Sequence, residues 1–237
     1  MATIDVLQGM LEAVAEALGP ELREQMTFVG GCTTGLLLTD DVTKEQVRST
    51  DDVDLIVHTM GYVAYAALQD KLKERGFKVQ MPNSDEEEPI CAMKLGDLRV
   101  DFMPDDDSLG FTNRWYQKAM ESASDHQLTP SITIKLVTPV YFVATKLEAY
   151  KGRGNGDALQ SRDIEDILNL VDGRKELIQE IQLSDSTVQA YIAGELAELL
   201  NDQNFEYAVN SQANNNTDRE GILFERLEQL AAFSTEP

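Results

Sequence analysis

The sequence predicts an α/β protein with a small mixed-sheet core over residues 1–137 and a helical domain over residues 138–237. In the first part, short runs that alternate apolar and polar residues, as half-buried strands do, lie between runs of helical spacing. A turn at Gly96 and Asp97 joins two such alternating runs, which indicates a β-hairpin. Beyond Pro139 the apolar spacing is helical almost to the end of the chain.

The first part begins with a predicted helix over residues 4–18, which Gly19 and Pro20 stop. Residues 108–130 show no clear pattern, and Trp115 and Tyr116 are expected in the core rather than in a base-stacking wall. The other predictions for this part are strands at 28–29, 52–57, 77–80 and 131–137, helical runs at 36–38 and 61–75, a solvated acidic loop at 85–88 and the hairpin over 89–103.

The second part begins with Thr138 as a helix cap and Pro139 as a first-turn proline, followed by a helix through Lys151. A second helix carries Asp163 and Asp166 on one face, because they are three residues apart. Further helices are predicted over 174–181, 185–201 and 218–232, with a mobile asparagine-rich loop over 210–216.

The net charge of −22 distinguishes this chain from an ordinary globular protein. The negative electrostatic field of this charge repels polyanions and therefore disfavours non-specific binding of nucleic acid. A structured RNA can still dock on a local basic patch. The start of the chain has no basic segment followed by a long apolar stretch, so we expect a cytoplasmic protein with no membrane partner.

The cysteines and histidines are too few and too scattered for a disulfide framework or a zinc site. Cys32 follows a glycine pair but has no evident histidine partner, so a buried structural thiol is expected rather than a nucleophile. Cys91 carries no motif. His58 and His126 stand alone in the sequence and are expected at the surface.

The candidate functional residues begin with Gly30 and Gly31, where a strand-like run meets a helix-like run. Without a Cβ, the backbone at such a turn can approach a phosphate. In the strand that follows, Asp52 and Asp54 point to one face, because side chains alternate along a strand. Two converging carboxylates repel each other, and a hard cation such as Mg²⁺ relieves that repulsion.

A third acid, Asp101, lies in the second strand of the predicted hairpin between two apolar residues. A carboxylate in an apolar strand needs a partner or a solvated position, which makes Asp101 a candidate third ligand. The neighbouring acids do not fit a calcium-binding loop, because Leu109 and Tyr116 fall at ligand positions of the EF-hand pattern. Those acids are Asp105, Asp106 and Asp107.

A glycine pair, then Thr-Asp-Asp-Val-Asp-Leu and later Val-Asp-Phe, resembles the nucleotidyltransferase superfamily that includes DNA polymerase beta. The resemblance implies that the glycines hold a triphosphate and that Asp52, Asp54 and Asp101 bind two Mg²⁺ or Mn²⁺ ions. The spacer of residues 32–51 is longer than in many members of that superfamily.

A second motif runs from Lys146 through Arg153 to Asp163 and Asp166, and it resembles the abortive-infection-type nucleotidyltransferase toxins of toxin-antitoxin systems. The resemblance covers about residues 26–174 and places Lys146 and Asp163 in the active-site cleft. It implies five nucleotide-binding residues, namely Gly30, Gly31, Thr33, Lys146 and Asp163. The alternative is that the four charged residues of this motif form a structural ion-pair network between two helices.

The implied reaction transfers a nucleoside monophosphate from a nucleoside triphosphate to a hydroxyl of RNA or protein, and the implied catalytic residues are the three acids and Lys146. Attack is expected at the alpha-phosphorus, with two ions about 3.5–4 Å apart and Asp101 as the candidate base. Lys146 and the N–H groups of the glycine pair would stabilise the departing charge. Two alternatives stay open: a catalytically silent nucleotide- or metal-binding module acting as an antitoxin-like partner, and a purely structural metal.

Overall fold

The structure is a computed structural model that describes residues 3–59, 61–79, 90–107, 109–153 and 156–234. Within these residues it is a mixed α/β protein with one seven-stranded sheet and eleven α-helices. In the same part of the chain, no helix is both long enough and apolar enough to cross a membrane.

The chain forms two compact units. The first contains Met1–Thr33 and Arg48–Thr138, and the second contains Thr34–Val47 and Pro139–Pro237. The sequence-based division after residue 137 did not anticipate that Thr34–Val47 belongs with the later helices. The segment is held there by main-chain bonds, since Thr39 and Asp40 both donate their N–H groups to the carbonyl of Gly173 at 2.9 Å.

The seven strands, β1 to β7 in chain order, are Met26–Val29, Asp52–Val57, Phe77–Val79, Ala92–Leu95, Leu98–Pro104, Ser124–Thr129 and Ile132–Leu136. They lie in the order β3-β4-β5-β2-β1-β7-β6. The pairs β2–β5 and β1–β7 are parallel, and the other neighbours are antiparallel. The predicted hairpin is confirmed as β4 and β5, with Leu95 opposite Leu98 at its turn.

The eleven helices, α1 to α11 in chain order, are Thr3–Arg23, Thr34–Leu37, Asp41–Lys44, Gly61–Glu74, Tyr116–Glu121, Pro139–Arg153, Arg162–Gly173, Leu177–Gln182, Ser186–Leu199, Gln203–Gln212 and Thr217–Ala231. The predicted stop in α1 is seen as a break, because Gly19 is non-helical at φ 68° and ψ 171° and a second helical segment continues to Arg23. The buried face of α1 carries Leu7, Leu11, Val14 and Leu18, and the helix packs on β1, β2, β6 and β7.

The region without a clear sequence pattern, residues 108–130, contains α5 and β6. Trp115 is 5% exposed, which confirms its place in the core. Tyr116 is partly exposed and its hydroxyl contacts the sulfur of Met103 at 3.0 Å. The predicted strand over 77–80 is seen as Phe77–Val79, while Gln80 and the acidic run at 85–88 lie outside the described residues.

In the second unit, the helix after Thr138 and the helix with Asp163 are confirmed as α6 and α7. The mobile-loop prediction for 210–216 was wrong for its first residues, because α10 runs through Gln212. Asn214 and Asn215 then make the turn at φ 53° and 59°, and Asn216 accepts N–H bonds at the start of α11. Asparagine tolerates the left-handed region and caps helices well, so these asparagines form an ordered connection.

Candidate metal and nucleotide site

Four charged residues form a cluster, here called the square, on one face of the sheet in the first unit: Asp52, Asp54, Arg99 and Asp101. The parallel register of β2 and β5 places Asp52 across from Arg99 and Asp54 across from Asp101. Because side chains alternate along a strand, Asp52 and Asp54 on β2 lie on the same face of the sheet as Arg99 and Asp101 on β5. One carboxylate oxygen from each of Asp52, Asp54 and Asp101 lies within 4.8 Å of the others. Alternation along β2 accounts for Asp52 and Asp54, and the parallel pairing of β2 with β5 adds Asp101.

Gly30 supports this cluster from the neighbouring strand. The antiparallel pairing of β1 with β2 sets Val29 across from Asp54, so the turn that follows Val29 meets the Asp54 side chain. Gly30 has φ 78°, a conformation that side-chain-bearing residues rarely adopt. A Cβ on Gly30 would lie 1.8 Å from Oδ2 of Asp54. Only glycine leaves room for the carboxylate here.

The turn after Gly30 is a 3₁₀ turn over Gly31–Thr33. Thr33 is fully buried, and both its hydroxyl (2.8 Å) and its N–H (3.1 Å) donate to the carbonyl of Gly30. Thr33 is one of the predicted nucleotide-binding residues, and in the structure its hydroxyl stabilises the shape of the turn. Cys32 is buried in the same turn, 3.5 Å from the carbonyl of Leu7.

Two further residues contact the acids and were not identified from the sequence. Arg99 donates from Nε to Oδ1 of Asp101 and from Nη2 to Oδ2, both at 2.9 Å. Thr50 donates its hydroxyl to Oδ1 of Asp52. The signal for Arg99 was its spacing of two from Asp101 on one strand, which puts both side chains on one face. With Arg99 included, the square has a formal charge of −2.

The donor set fits a hard divalent cation. Carboxylate oxygens are the ligands that Mg²⁺ prefers, and two ligands on opposite sides of one ion are about 4.2 Å apart. One carboxylate oxygen from each of the three acids lies within 4.8 Å of the other two, which is close to that spacing. Asp52 and Asp54 are half-buried and Asp101 is 9% exposed. Among the described residues, this is the one cluster of three or more acidic, histidine or cysteine side chains with such spacing.

The surroundings of the two cysteines near these acids disfavour their thiolate forms. Burial, followed by the charges of Asp54 and Asp52, raises the pKa of the Cys32 thiol far above its ordinary value. Burial and the charge of Asp101 likewise raise the pKa of Cys91 to about 12. A nucleophilic thiol needs a lowered pKa. Both cysteines therefore behave as structural thiols.

The histidines are not part of the acidic cluster. His58 has a side chain 67% exposed, and its Nδ1 lies 2.6 Å from Oδ2 of Asp105. That hydrogen bond and the charge of Asp105 raise the pKa of His58. His126 on β6 is partly buried, and burial lowers its pKa. Neither contact involves the residues of the square.

The second motif forms an ion-pair network between α6 and α7 in the second unit. Nζ of Lys146 lies 3.1 Å from Oδ1 of Asp163 and 2.7 Å from Oδ2 of Asp166. Arg153 donates to both oxygens of Asp163 at 3.1 Å. The hydroxyl of Thr34 lies 3.4 Å from Oδ1 of Asp166. This is the arrangement that the ion-pair alternative for the motif describes.

Burial and charge balance both matter in this network. The side chains of Lys146, Asp163 and Asp166 are 8%, 6% and 0% exposed. Burial raises the pKa of Asp163, but Lys146 and Arg153 outweigh it, and the pKa ends below the ordinary value. The predicted nucleotide ligands Lys146 and Asp163 are thus paired with each other, and the ammonium already has two carboxylate partners.

The second unit also contains a cavity of about 460 Å³. Its polar lining includes Gln46, Ser161 and Gln212, and its apolar lining includes Leu159 and Leu168. Neither Lys146 nor Asp163 lines it. The cavity is therefore separate from the ion-pair network of this unit.

No protein-family model matches this chain, and no curated protein matches it. The convergence of Asp52, Asp54 and Asp101 beside Gly30 is therefore the observation from which a function can be proposed.

Proposed function

We propose that the protein is a metal-dependent nucleotidyltransferase, which moves a nucleoside monophosphate from a nucleoside triphosphate to a hydroxyl acceptor. The observation that supports this proposal most directly is the convergence of three carboxylates on adjacent strands, with a glycine turn packed against one of them. The central strands β5-β2-β1, with β2 parallel to β5 and antiparallel to β1, deliver these acids and the glycine turn from neighbouring positions.

Each acid has a defined role in the proposal. Asp52 and Asp54 would hold the cation that accompanies the triphosphate, and Asp101 would help to hold a second cation and would accept the proton of the attacking hydroxyl. The chemistry that bound Mg²⁺ or Mn²⁺ supplies is charge neutralisation of the phosphates and a lower pKa of that hydroxyl. The protein's own contribution is positioning, since phosphoryl transfer is catalysed mainly by orientation and electrostatics.

The glycine turn is the proposed main-chain contact for the phosphates of the nucleotide. The space that a Cβ would take at Gly30 is filled by the Asp54 carboxylate, and Gly31 is buried. The N–H groups of this turn are proposed donors to phosphate oxygens from the resemblance. Thr33 closes this turn through its bonds to the carbonyl of Gly30. Mutation of Thr33 is therefore expected to act through the shape of the turn.

Lys146 and Asp163 remain proposed nucleotide ligands from the resemblance alone. An ammonium acts on phosphate as a point charge, and here that charge is shared with Asp163 and Asp166. A nucleotide contact by Lys146 would share the ammonium with these two carboxylates. The proposal accordingly depends more on the acids of the first unit than on this network.

A second candidate function is a catalytically silent metal- or nucleotide-binding module that acts as an antitoxin-like partner. The observation favouring it is the two-bond pairing of Arg99 with Asp101, which occupies both oxygens of the proposed base. In this case the protein binds nucleotide with metal but transfers nothing.

The test incubates the protein and Mg²⁺ with each alpha-labelled nucleoside triphosphate in a lysate that contains RNA and protein. Compared with the same lysate without the protein, we expect added label on a macromolecule and added release of pyrophosphate, with no added label from the gamma-labelled substrate. Nuclease and protease treatment identify the acceptor; the toxin resemblance favours RNA, whereas the charge of −22 opposes it. Binding without any label transfer would replace this proposal with the silent module.

A further inference from the structure

Arg99 is the one basic member of the square, and its position is set by the sheet. It lies across from Asp52 on β2 and across from Lys94 on β4. Its guanidinium reaches along its own strand to Asp101, which it contacts through two parallel hydrogen bonds of 2.9 Å. Such bidentate pairs between arginine and carboxylate are among the strongest ion pairs in proteins.

The Asp101 side chain is 12% exposed, whereas that of Arg99 is 36% exposed. The acid is therefore confined, while the guanidinium has access to solvent. A cation that takes a carboxylate oxygen of Asp101 must share or displace a hydrogen bond from Arg99. It must also approach a group that already carries one positive charge nearby, which weakens the attraction to the three acids.

We infer that Arg99 is a positioning residue that holds Asp101 in place and competes with the divalent cation for its carboxylate. This inference rests on the proposed function, because it assigns the regulation of that same acidic site. Metal loading then involves an exchange in which Asp101 trades guanidinium hydrogen bonds for a bond to the ion. The pairing reduces the repulsion that Asp101 adds to the other two acids before an ion binds.

The experiment titrates the metal-free 237-residue chain with Mn²⁺ and measures free Mn²⁺ by electron paramagnetic resonance. Arg99→Gln removes both the charge and the bidentate pair, and we expect about tenfold tighter Mn²⁺ binding from the loss of these charged hydrogen bonds. Arg99→Lys keeps the charge but loses the fork geometry, so its affinity is expected between those of wild type and Arg99→Gln. Lys94→Gln is the matched control, since it removes a positive charge one strand further away, and its affinity should stay near wild type.

The outcomes separate the two levels of the proposal. Wild-type Mn²⁺ binding with no tightening in either Arg99 variant overturns the role of Arg99 and leaves the proposed function standing. Equal tightening in Lys94→Gln also overturns it, because general charge would then explain the effect. Absence of Mn²⁺ binding by the wild type and all variants removes the metal site and with it the proposed function. If Arg99→Gln does not fold, the Arg99→Lys comparison decides.

Discussion

The carboxylate of Asp54 packs against Gly30, and a Cβ added to Gly30 would lie only 1.8 Å from Oδ2 of Asp54. This contact joins the glycine turn to the acidic cluster. It gives a physical reason for glycine at this position that combines a positive φ with the space that Asp54 needs. The glycine turn and the acids of β2, which are separate features in the sequence, therefore pack against each other in the fold.

Gly30→Ala is expected to lose Mn²⁺ binding and to lower the free energy of unfolding by more than the roughly 1–2 kcal/mol that a left-handed alanine costs. The additional loss comes from displacement of Asp54. Gly110→Ala is the matched control, because Gly110 has φ 84° and open space around it. Urea denaturation and Mn²⁺ titration measure both effects. Equal behaviour of the two variants would contradict the role assigned to the Gly30–Asp54 contact.

Nucleoside triphosphate binding is expected to require Mg²⁺ or Mn²⁺, because the acids repel a polyanion unless a cation lies between them. Asp52→Asn and Asp54→Asn should each weaken this binding by more than about tenfold, the effect of losing even an outer partner of a metal. Asp106→Asn should bind like wild type. Isothermal titration calorimetry with Mg²⁺ and with EDTA measures this. Equal affinity in EDTA, or equal loss in all three variants, would show that the site is misplaced.

Lys146→Ala is expected to lower the free energy of unfolding by about 3–5 kcal/mol, because it leaves the buried carboxylates of Asp163 and Asp166 without their shared cation. Lys73→Ala breaks the ion pair with Asp70, in which the two side chains are 49% and 74% exposed, and should cost less than about 1 kcal/mol. Chemical denaturation followed by circular dichroism compares them. Similar small losses in both would mean that the network contributes little.

The same Lys146→Ala protein tests the nucleotide role in a separate measurement. A ligand of phosphate should lose more affinity for the triphosphate than for the nucleoside. If a folded variant loses both equally, the role of Lys146 is the ion-pair network alone.

The two histidines should titrate on opposite sides of pH 6.5. Asp105 raises the pKa of His58, whereas burial lowers the pKa of His126. The stabilisation from the His58–Asp105 pair is fully present below the unfolded pKa of about 6.5 and is lost as pH rises through the raised value. Proton NMR of the imidazoles measures both, with His58→Gln for assignment. Asp105→Asn should return the pKa of His58 toward 6.5, and two coincident titrations would contradict the assignment.

Much of the local structure could be predicted because its signals are local. Gly19 and Pro20 broke the first helix, Gly96 turned the hairpin, and alternation placed Asp52 and Asp54 on one face. The helix through Gln212 was missed because its asparagines suggested a loop, whereas contacts across the second unit decide its end. Gln212 donates to Asn169 at 3.1 Å, a partner 43 residues earlier.

By itself, the sequence determined the periodicity of the strands and helices, the positions that need glycine, and the row of acids on β2, since these depend on neighbours in the chain. Only the tertiary structure decided that Arg99 pairs with Asp101 and that Lys146 is shared by Asp163 and Asp166. The physical reason is that ion pairing depends on rotamer, burial and the competing partners that folding brings close. Residue type and spacing name the candidates, but the three-dimensional contacts choose among them.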